Sequence, residues 1–250
     1  MAKTKTTKKE VCIVHYNTPE LTEATILSLR KHGGKDYHVT IFDNSDERPF
    51  KTKMKGVKVI DNTKGKYIDF DKFLDQYPDR CEEIGVAHNC NFGSAKHMRS
   101  VQELFKIIKK PFILLDSDVL IKKNIDVIWD EQYAVVGHRL EHQQGNRFGI
   151  GRLMPLLCFL NVPLLTRHGA KYFDENRCYG LLPGGVFNRN NWYDTGASLL
   201  EDVINTKPYL VGHHIDIRDY MIHYTSGSWD RNKVDEHMAW LTRHQELWIE

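Results

Sequence analysis

The stretch Phe112-Ile113-Leu114-Leu115-Asp116-Ser117-Asp118 decides how the rest of the chain is read. Four consecutive large apolar residues cannot alternate between core and water, so the run predicts a strand buried on both faces. Such strands belong to parallel sheets packed between helices. The run ends abruptly in Asp116-Ser117-Asp118. In open parallel sheets, ligands bind at the carboxyl ends of the strands, which places both aspartates where chemistry is expected. Residues i and i+2 of an extended segment point to the same side. Two carboxylates so placed repel unless a cation lies between or beside them, and oxygen donors favour Mg²⁺ or Mn²⁺. On the tripeptide alone, one aspartate capping a turn and the other solvated is an equally available reading.

Upstream, Pro111 stops a helix that Ser94 can cap and that reaches Lys109. Met98, Val101, Phe105 and Ile108 share one face of it. Val11–Val14 reads as a strand, and Thr18-Pro19 as the N-cap and first turn of a helix to about Lys31, closed by His32-Gly33-Gly34. Val39–Phe42 and Val57–Ile60 are further short strands. Strand and helix alternate, which predicts an α/β fold with a mostly parallel, Rossmann-like sheet flanked by helices.

Downstream the rhythm is less regular. Tyr133–Val136, Pro155–Leu160, Tyr209–His213 and Met221–Tyr224 read as strands, and Glu141–Arg152 as a polar, mobile loop. Asp194 or Thr195 can start a helix to about Thr206, and Lys233–Ile249 reads as a last helix. The expected organisation is a basic disordered arm over 1–10, one domain over 11–230 (halves 11–120 and 121–230), and a C-terminal helix over 231–250.

Composition narrows the function classes. Among 250 residues, 41% are hydrophobic and 27% charged, as in ordinary globular proteins, so a disordered or collagen-like chain is excluded. A net charge of +2 gives no electrostatic reason to expect nucleic-acid binding. No apolar run approaches the roughly 20 residues of a membrane span, and Met1–Lys9 lacks the apolar stretch of a secretory signal. Five cysteines without a CxxC pair argue against a disulfide scaffold or a four-cysteine zinc site, and point to reduced thiols in a cytoplasmic protein. There is no GxxxxGK[ST], GxSxG or HExxH, and Gly149-Ile150-Gly151 lacks the rest of a dinucleotide fingerprint.

Three further segments carry chemistry. His223 leaves a short strand into Tyr224-Thr225-Ser226-Gly227-Ser228-Trp229, where an imidazole could join the carboxylates around Mn²⁺ or simply sit in a loop. Asn91-Phe92-Gly93-Ser94-Ala95-Lys96-His97 opens the long helix and suits an anion or is a plain cap. Trp192-Tyr193-Asp194-Thr195-Gly196 places a carboxylate beside two aromatic rings, as a general base next to a sugar platform or as an N-cap.

In this order, His15-Tyr16-Asn17-Thr18-Pro19, Asp43-Asn44-Ser45, the Asn91–His97 helix start and Leu114–Asp118 resemble a GT-A-fold, nucleotide-sugar-dependent glycosyltransferase, closest in style to glycosyltransferase family 2. The resemblance spans roughly Val11 to Trp229. It implies a single GT-A-like domain with a nucleotide-sugar half and an acceptor half. It implies that Tyr16, Asn17 and Asp43 line the base and ribose pocket. Gly93, Lys96, Asp116 and Ser117 would lie on the donor. Asp116 and Asp118 would act as the DxD pair and, with His223, hold Mn²⁺ or Mg²⁺. Trp192 and Tyr193 would face the acceptor. Asp194 would be the base of an inverting transfer from a UDP- or GDP-sugar to a saccharide or glycolipid, as in polysaccharide biosynthesis, with peripheral membrane contact open. The family's usual Glu-Asp pair is replaced by Asp194-Thr195-Gly196, with Glu201-Asp202 following later, so Glu201 and Asp202 stay open as alternative bases.

Three rivals share features with this reading. A haloacid-dehalogenase-like phosphatase would use Asp116 as nucleophile, but its motif continues Gly-Thr where this chain has Val119-Leu120. A nucleotidyltransferase would need a Gly-rich basic loop after the first strand, which His15–Pro19 does not supply. A binding protein that kept the fold would have no use for Asp116, Asp118 and His223 together.

Overall fold

The computed structural model describes residues 8–34, 37–65, 92–140, 151–179, 193–225 and 232–249. The chain runs β1 (Lys9–His15), α1 (Pro19–His32), β2 (Tyr37–Asp43), β3 (Val57–Asp61), α2 (Phe92–Ile108), β4 (Phe112–Asp116) and β5 (Val119–Ile121). It continues with β6 (Val135–Leu140), β7 (Arg152–Leu160), α3 (Val162–Arg167), α4 (Glu175–Tyr179), α5 (Ala197–Thr206), β8 (Val211–His214), β9 (Met221–His223) and α6 (Val234–Arg243).

A seven-stranded sheet has the order β3-β2-β1-β4-β7-β6-β8. β1, β2, β3 and β4 are mutually parallel, and β7 alone runs against its neighbours β4 and β6. The four apolar residues of β4 are completely buried, as their unbroken run requires. The pleat sorts them by period two. Phe112 and Leu114 pack with Cys12, Val14 and the α2 residues Met98, Val101 and Phe105. Ile113 and Leu115 pack with Val11, Ile13 and the α1 residues Ile26 and Leu29 on the other face. Helices on both faces therefore account for a central strand with no polar side.

The register brings the strand ends flush. His15 lies opposite Asp43, Asp43 opposite Asp61, and Val14 opposite Asp116. Because β7 is antiparallel to β4, its first residue, Arg152, arrives at this same edge.

Element boundaries differ from expectation at several points. β1 begins at Lys9, inside the expected arm, and residues 1–7 lie outside the described ones. α2 begins at Phe92, so Ser94 lies in its first turn rather than capping it. Thr18 precedes α1 without a side-chain capping bond, while Pro19 takes its expected place in the first turn. At the other end, Gly33 keeps a helical φ of −71°, and Gly34 is the left-handed residue at φ 122°. Gly33 is required by space, because a Cβ there would meet the Leu29 carbonyl oxygen at 2.6 Å. Tyr209 falls in a 3₁₀ turn ahead of β8, and Arg152 belongs to a strand, not to a loop; residues 141–150 lie outside the described ones. The last helix stops at Arg243 and a 3₁₀ turn, Gln245–Leu247, follows. Among the described residues no helix is long and apolar enough to cross a membrane.

Candidate active site

Asp116 ends β4, and β5 starts one residue after Asp118. β5 forms a two-stranded antiparallel sheet with β9, in which Val119 faces His223 and Ile121 faces Met221. The ladder extends one step further: the N–H of Tyr224 donates to the Asp118 carbonyl at 2.9 Å. The register thus sets His223 beside Asp118. The other edge of β5 is closed by side chains of α1. The Thr25 hydroxyl lies 2.7 Å from the Val119 carbonyl and 3.1 Å from that of Ser117, and the Ile121 N–H donates to Ser28 at 3.0 Å. On this edge the Val119 carbonyl and the Ile121 N–H, which the β9 ladder cannot reach, are thus satisfied by α1 hydroxyls.

The result is a convergent donor set. One ligand atom each from Asp116, Asp118 and His223 lie within 4.8 Å of one another. Nε2 of His223 is 3.4 Å from Oδ1 of Asp118. Two carboxylates and an imidazole suit a hard divalent cation, with the nitrogen favouring Mn²⁺. Burial pushes the Asp118 carboxyl above its usual range, only partly opposed by His223. For His223, burial works downward, but the Asp118 carboxylate outweighs it and holds the imidazole's pKa above normal. A buried pair that retains a proton is one that a cation can displace it from.

Behind Asp116 lies a second imidazole. Nε2 of His97, on α2, is 3.4 Å from Oδ1 of Asp116. Its ring leans on that of Tyr172 at 6.5 Å between centroids. Tyr172 is fully buried, and its phenol is pushed up by burial first, with Cys158, Asp116 and Asp194 adding to it and Arg152 opposing. Asp116 and the Arg152–Asp194 pair therefore lie within electrostatic reach of one buried hydroxyl.

Asp194 is placed by Gly196. Gly196 adopts φ 80°, and a Cβ on it would meet the Leu153 carbonyl oxygen at 2.0 Å, so only glycine allows the start of α5 to press against β7. That contact sets Asp194 beside Arg152. Asp194 Oδ2 accepts from Arg152 Nη1, and Oδ1 accepts from the N–H of Thr195 at 2.7 Å. Glu201 and Asp202 are engaged elsewhere. Arg177 donates to Asp202 at 2.7 Å and lies 3.4 Å from Glu201, and the Tyr193 hydroxyl reaches both Glu201 oxygens at 2.9 Å. They bind α4 to α5. Tyr193 itself is buried, so it supports this wall from behind and offers no open ring face.

On the opposite side, the residues after β1 and β2 form a closed polar loop. Asn17, fully buried at φ 56°, takes the N–H groups of Glu47 and Arg48 on its Oδ1 and donates to Asp46. Asp43 accepts from the N–H groups of Ser45 and Phe50. Both side chains are spent inside the loop and shape its wall. The outward-facing groups here are Tyr16, whose hydroxyl donates to Asp46 at 2.8 Å, and Lys96, whose ammonium sits 4.1 Å from the Tyr16 ring centroid. Gly93 lies in the first turn of α2, and Ser117 contributes its carbonyl to Thr25. Trp192 and Trp229 lie outside the described residues.

His97, Arg152, Thr25 and Asp46 were not singled out from the sequence. For His97 a signal exists: it precedes Val101, Leu104 and Ile108 by four, seven and eleven positions, the buried face of α2. Arg152 and Thr25 give none, since each acts on a partner distant in sequence.

No protein-family model matches the chain, and no curated protein matches it in sequence. Several solved structures do resemble it. The galactosyltransferase LgtC, solved in complex with donor and acceptor sugar analogs, is 10% identical over 93% of this chain and 96% of that one, with a TM-score of 0.50. The bifunctional glycosyltransferase WbbM in its apo form is 9% identical over 87% of this chain, with a TM-score of 0.41. The glycosyltransferase GlyE of Streptococcus pneumoniae is 10% identical over 92%, with a TM-score of 0.43. The chain spans 40% of WbbM and 51% of GlyE. The likeness to LgtC covers nearly the whole of both chains and shows the fold: one GT-A-like α/β domain on a mostly parallel sheet.

Proposed function

We propose that the chain is a metal-dependent glycosyltransferase that moves a sugar from a UDP- or GDP-sugar to a hydroxyl of a saccharide or glycolipid, with inversion. The observation that carries this is the convergence of Asp116, Asp118 and His223 at the carboxyl edge of the parallel strands. The donor set fits Mn²⁺ or Mg²⁺, which when bound supplies Lewis-acid neutralisation of the leaving diphosphate. Tyr16 and the loop braced by Asn17 and Asp43 would border the base and ribose, and Lys96, beside Tyr16, brings a positive charge to the donor. Gly93 and Ser117 lie next to these groups in sequence and complete the donor side. Asp194 would take the acceptor hydroxyl's proton as the anomeric carbon gains oxocarbenium character. Arg152 fixes which way that carboxylate faces. Tyr193, buried and bonded to Glu201, would brace the acceptor wall without presenting a ring to the sugar. Glu201 and Asp202, bonded to Arg177 and Tyr193 as Asp194 is to Arg152, stay as alternative bases. A cytoplasmic role in building surface polysaccharide belongs to the same proposal.

A thermal-shift panel of nucleotide-sugars with and without Mn²⁺ tests it. A rise in melting temperature for a nucleotide-sugar that requires Mn²⁺ is expected, because a ligand that binds only the folded form stabilises it. No rise with any donor, together with hydrolysis of a simple phosphate ester, would transfer the site to the phosphatase reading.

A further inference from the structure

We infer that His97 is a positioning residue for the metal centre: from α2 it holds one carboxylate oxygen of Asp116 and so sets how that carboxylate faces the ion. The inference rests on the reading of Asp116, Asp118 and His223 as metal ligands. Two histidine–carboxylate pairs meet at this edge, His223–Asp118 and His97–Asp116, each at 3.4 Å. They are not equivalent. His223 belongs to the donor set whose atoms lie within 4.8 Å of one another, and among the described residues His97 does not. His97 therefore stands outside the ligand shell with a ring nitrogen turned to Asp116.

The burial of that ring calls for such a role. Both nitrogens of His97 are buried, and neither has a hydrogen-bond partner among the described residues. Buried polar atoms are nearly always satisfied, and a neutral imidazole has one N–H to give. The Asp116 carboxylate is an acceptor within reach, and a small side-chain rotation closes 3.4 Å to a hydrogen bond. The ring is also held in place. Ala95 and Met98 beside it on α2 are completely buried, and Tyr172 backs it. Asp118 is steadied through Tyr224, and through the Thr25 bonds to its neighbours. Asp116 sits at a strand end, where pairing with Val14 fixes its backbone and leaves the orientation of its carboxylate to side-chain neighbours such as His97. A carboxylate that gives one oxygen to a cation keeps the other for an outer donor, and such donors orient the ligand. His97 supplies that donor here.

Mn²⁺ titrations followed by electron paramagnetic resonance test this on the full chain, using wild type, His97→Gln and His97→Met. Glutamine and methionine have similar length and volume, but only glutamine offers an N–H. The expected result is affinity close to wild type for His97→Gln and a loss of about 10–100-fold for His97→Met, with both variants folded by melting curves recorded without metal. Equal affinities in the two variants, whether both normal or both reduced, overturn the inference, because packing and not the N–H would then govern the site. If His97→Met does not fold, a His97→Gln affinity reduced as far as that of His97→Ala overturns it. Wild type that binds no Mn²⁺ overturns the metal reading itself, whereas wild-type binding with indifferent His97 variants overturns only the positioning role.

Discussion

Tyr224 donates its backbone N–H to the carbonyl of Asp118 at 2.9 Å, so the strand that carries His223 is registered directly on the residue it must meet. The third residue of the candidate metal site is thus delivered by a β-ladder and not by loop flexibility. A one-residue slip of β9 would turn His223 to the opposite face, since side chains alternate along a strand.

Asp118→Asn should leave the fold intact and remove metal-dependent transfer. Burial disfavours the ionised carboxylate there, so the amide relieves a desolvation cost that offsets the lost pairing with His223. The expected outcome is a metal-free melting temperature close to wild type, with Mn²⁺ binding and sugar transfer lost. Full turnover of this variant in chelator would remove the metal from the mechanism.

Mn²⁺ affinity should fall as pH falls. A cation needs a neutral imidazole and ionised carboxylates, so each proton held by the site competes with it. The His223 pKa is raised, because the Asp118 carboxylate outweighs the opposing effect of burial. The competition therefore extends above the ordinary histidine value of about 6.5. Affinity should climb with pH through that value and level off only above it. Titrations showing the same affinity at pH ~6 and ~8.5 would rule this out.

Asp194→Asn should reduce turnover by roughly 10²–10⁴ while donor affinity changes little. Glu201→Gln should do the reverse of that pattern: near-normal turnover with lower stability, because it weakens the Tyr193 and Arg177 contacts. Kinetics and donor titration on both variants separate the two. Near-normal turnover in Asp194→Asn would move the base elsewhere.

Thr25→Val keeps the shape of a fully buried side chain but removes the hydroxyl that serves Val119 and Ser117. Leaving a buried carbonyl without its donor should cost about 1–3 kcal/mol in urea unfolding. A loss below roughly 0.5 kcal/mol would mean that the hydroxyl does not hold β5.

The parts legible in the sequence are those with a local physical signature. Phe112–Leu115 reads as a strand buried on both faces, and Met98, Val101 and Phe105 as one face of a helix, which packs on that strand. Asp116 and Asp118 followed, because the end of such a strand is where ligands bind. The antiparallel direction of β7 was not legible, since Arg152–Leu160 packs the same side chains whichever way it runs. β5 and β9 are three residues each, too short to show a period. Asn17 and Asp43 illustrate a different limit. An amide or carboxylate beside a strand end can face a ligand or satisfy its own loop, and here both bind loop N–H groups. Arg152 and Asp194 meet only because Gly196 allows α5 to touch β7, a contact no local pattern announces.

The three residues of the candidate metal site are far apart along the chain: Asp116 and Asp118 come before its midpoint, and His223 arrives near its end. An ion gripped by all three would act as a clasp, adding to the β5–β9 ladder and to the apolar clusters that join Ile121 to Met221 and Leu120 to Ile222. Peeling β9 away then requires giving up the ion, so occupancy should set how readily proteases cut the tail that begins there.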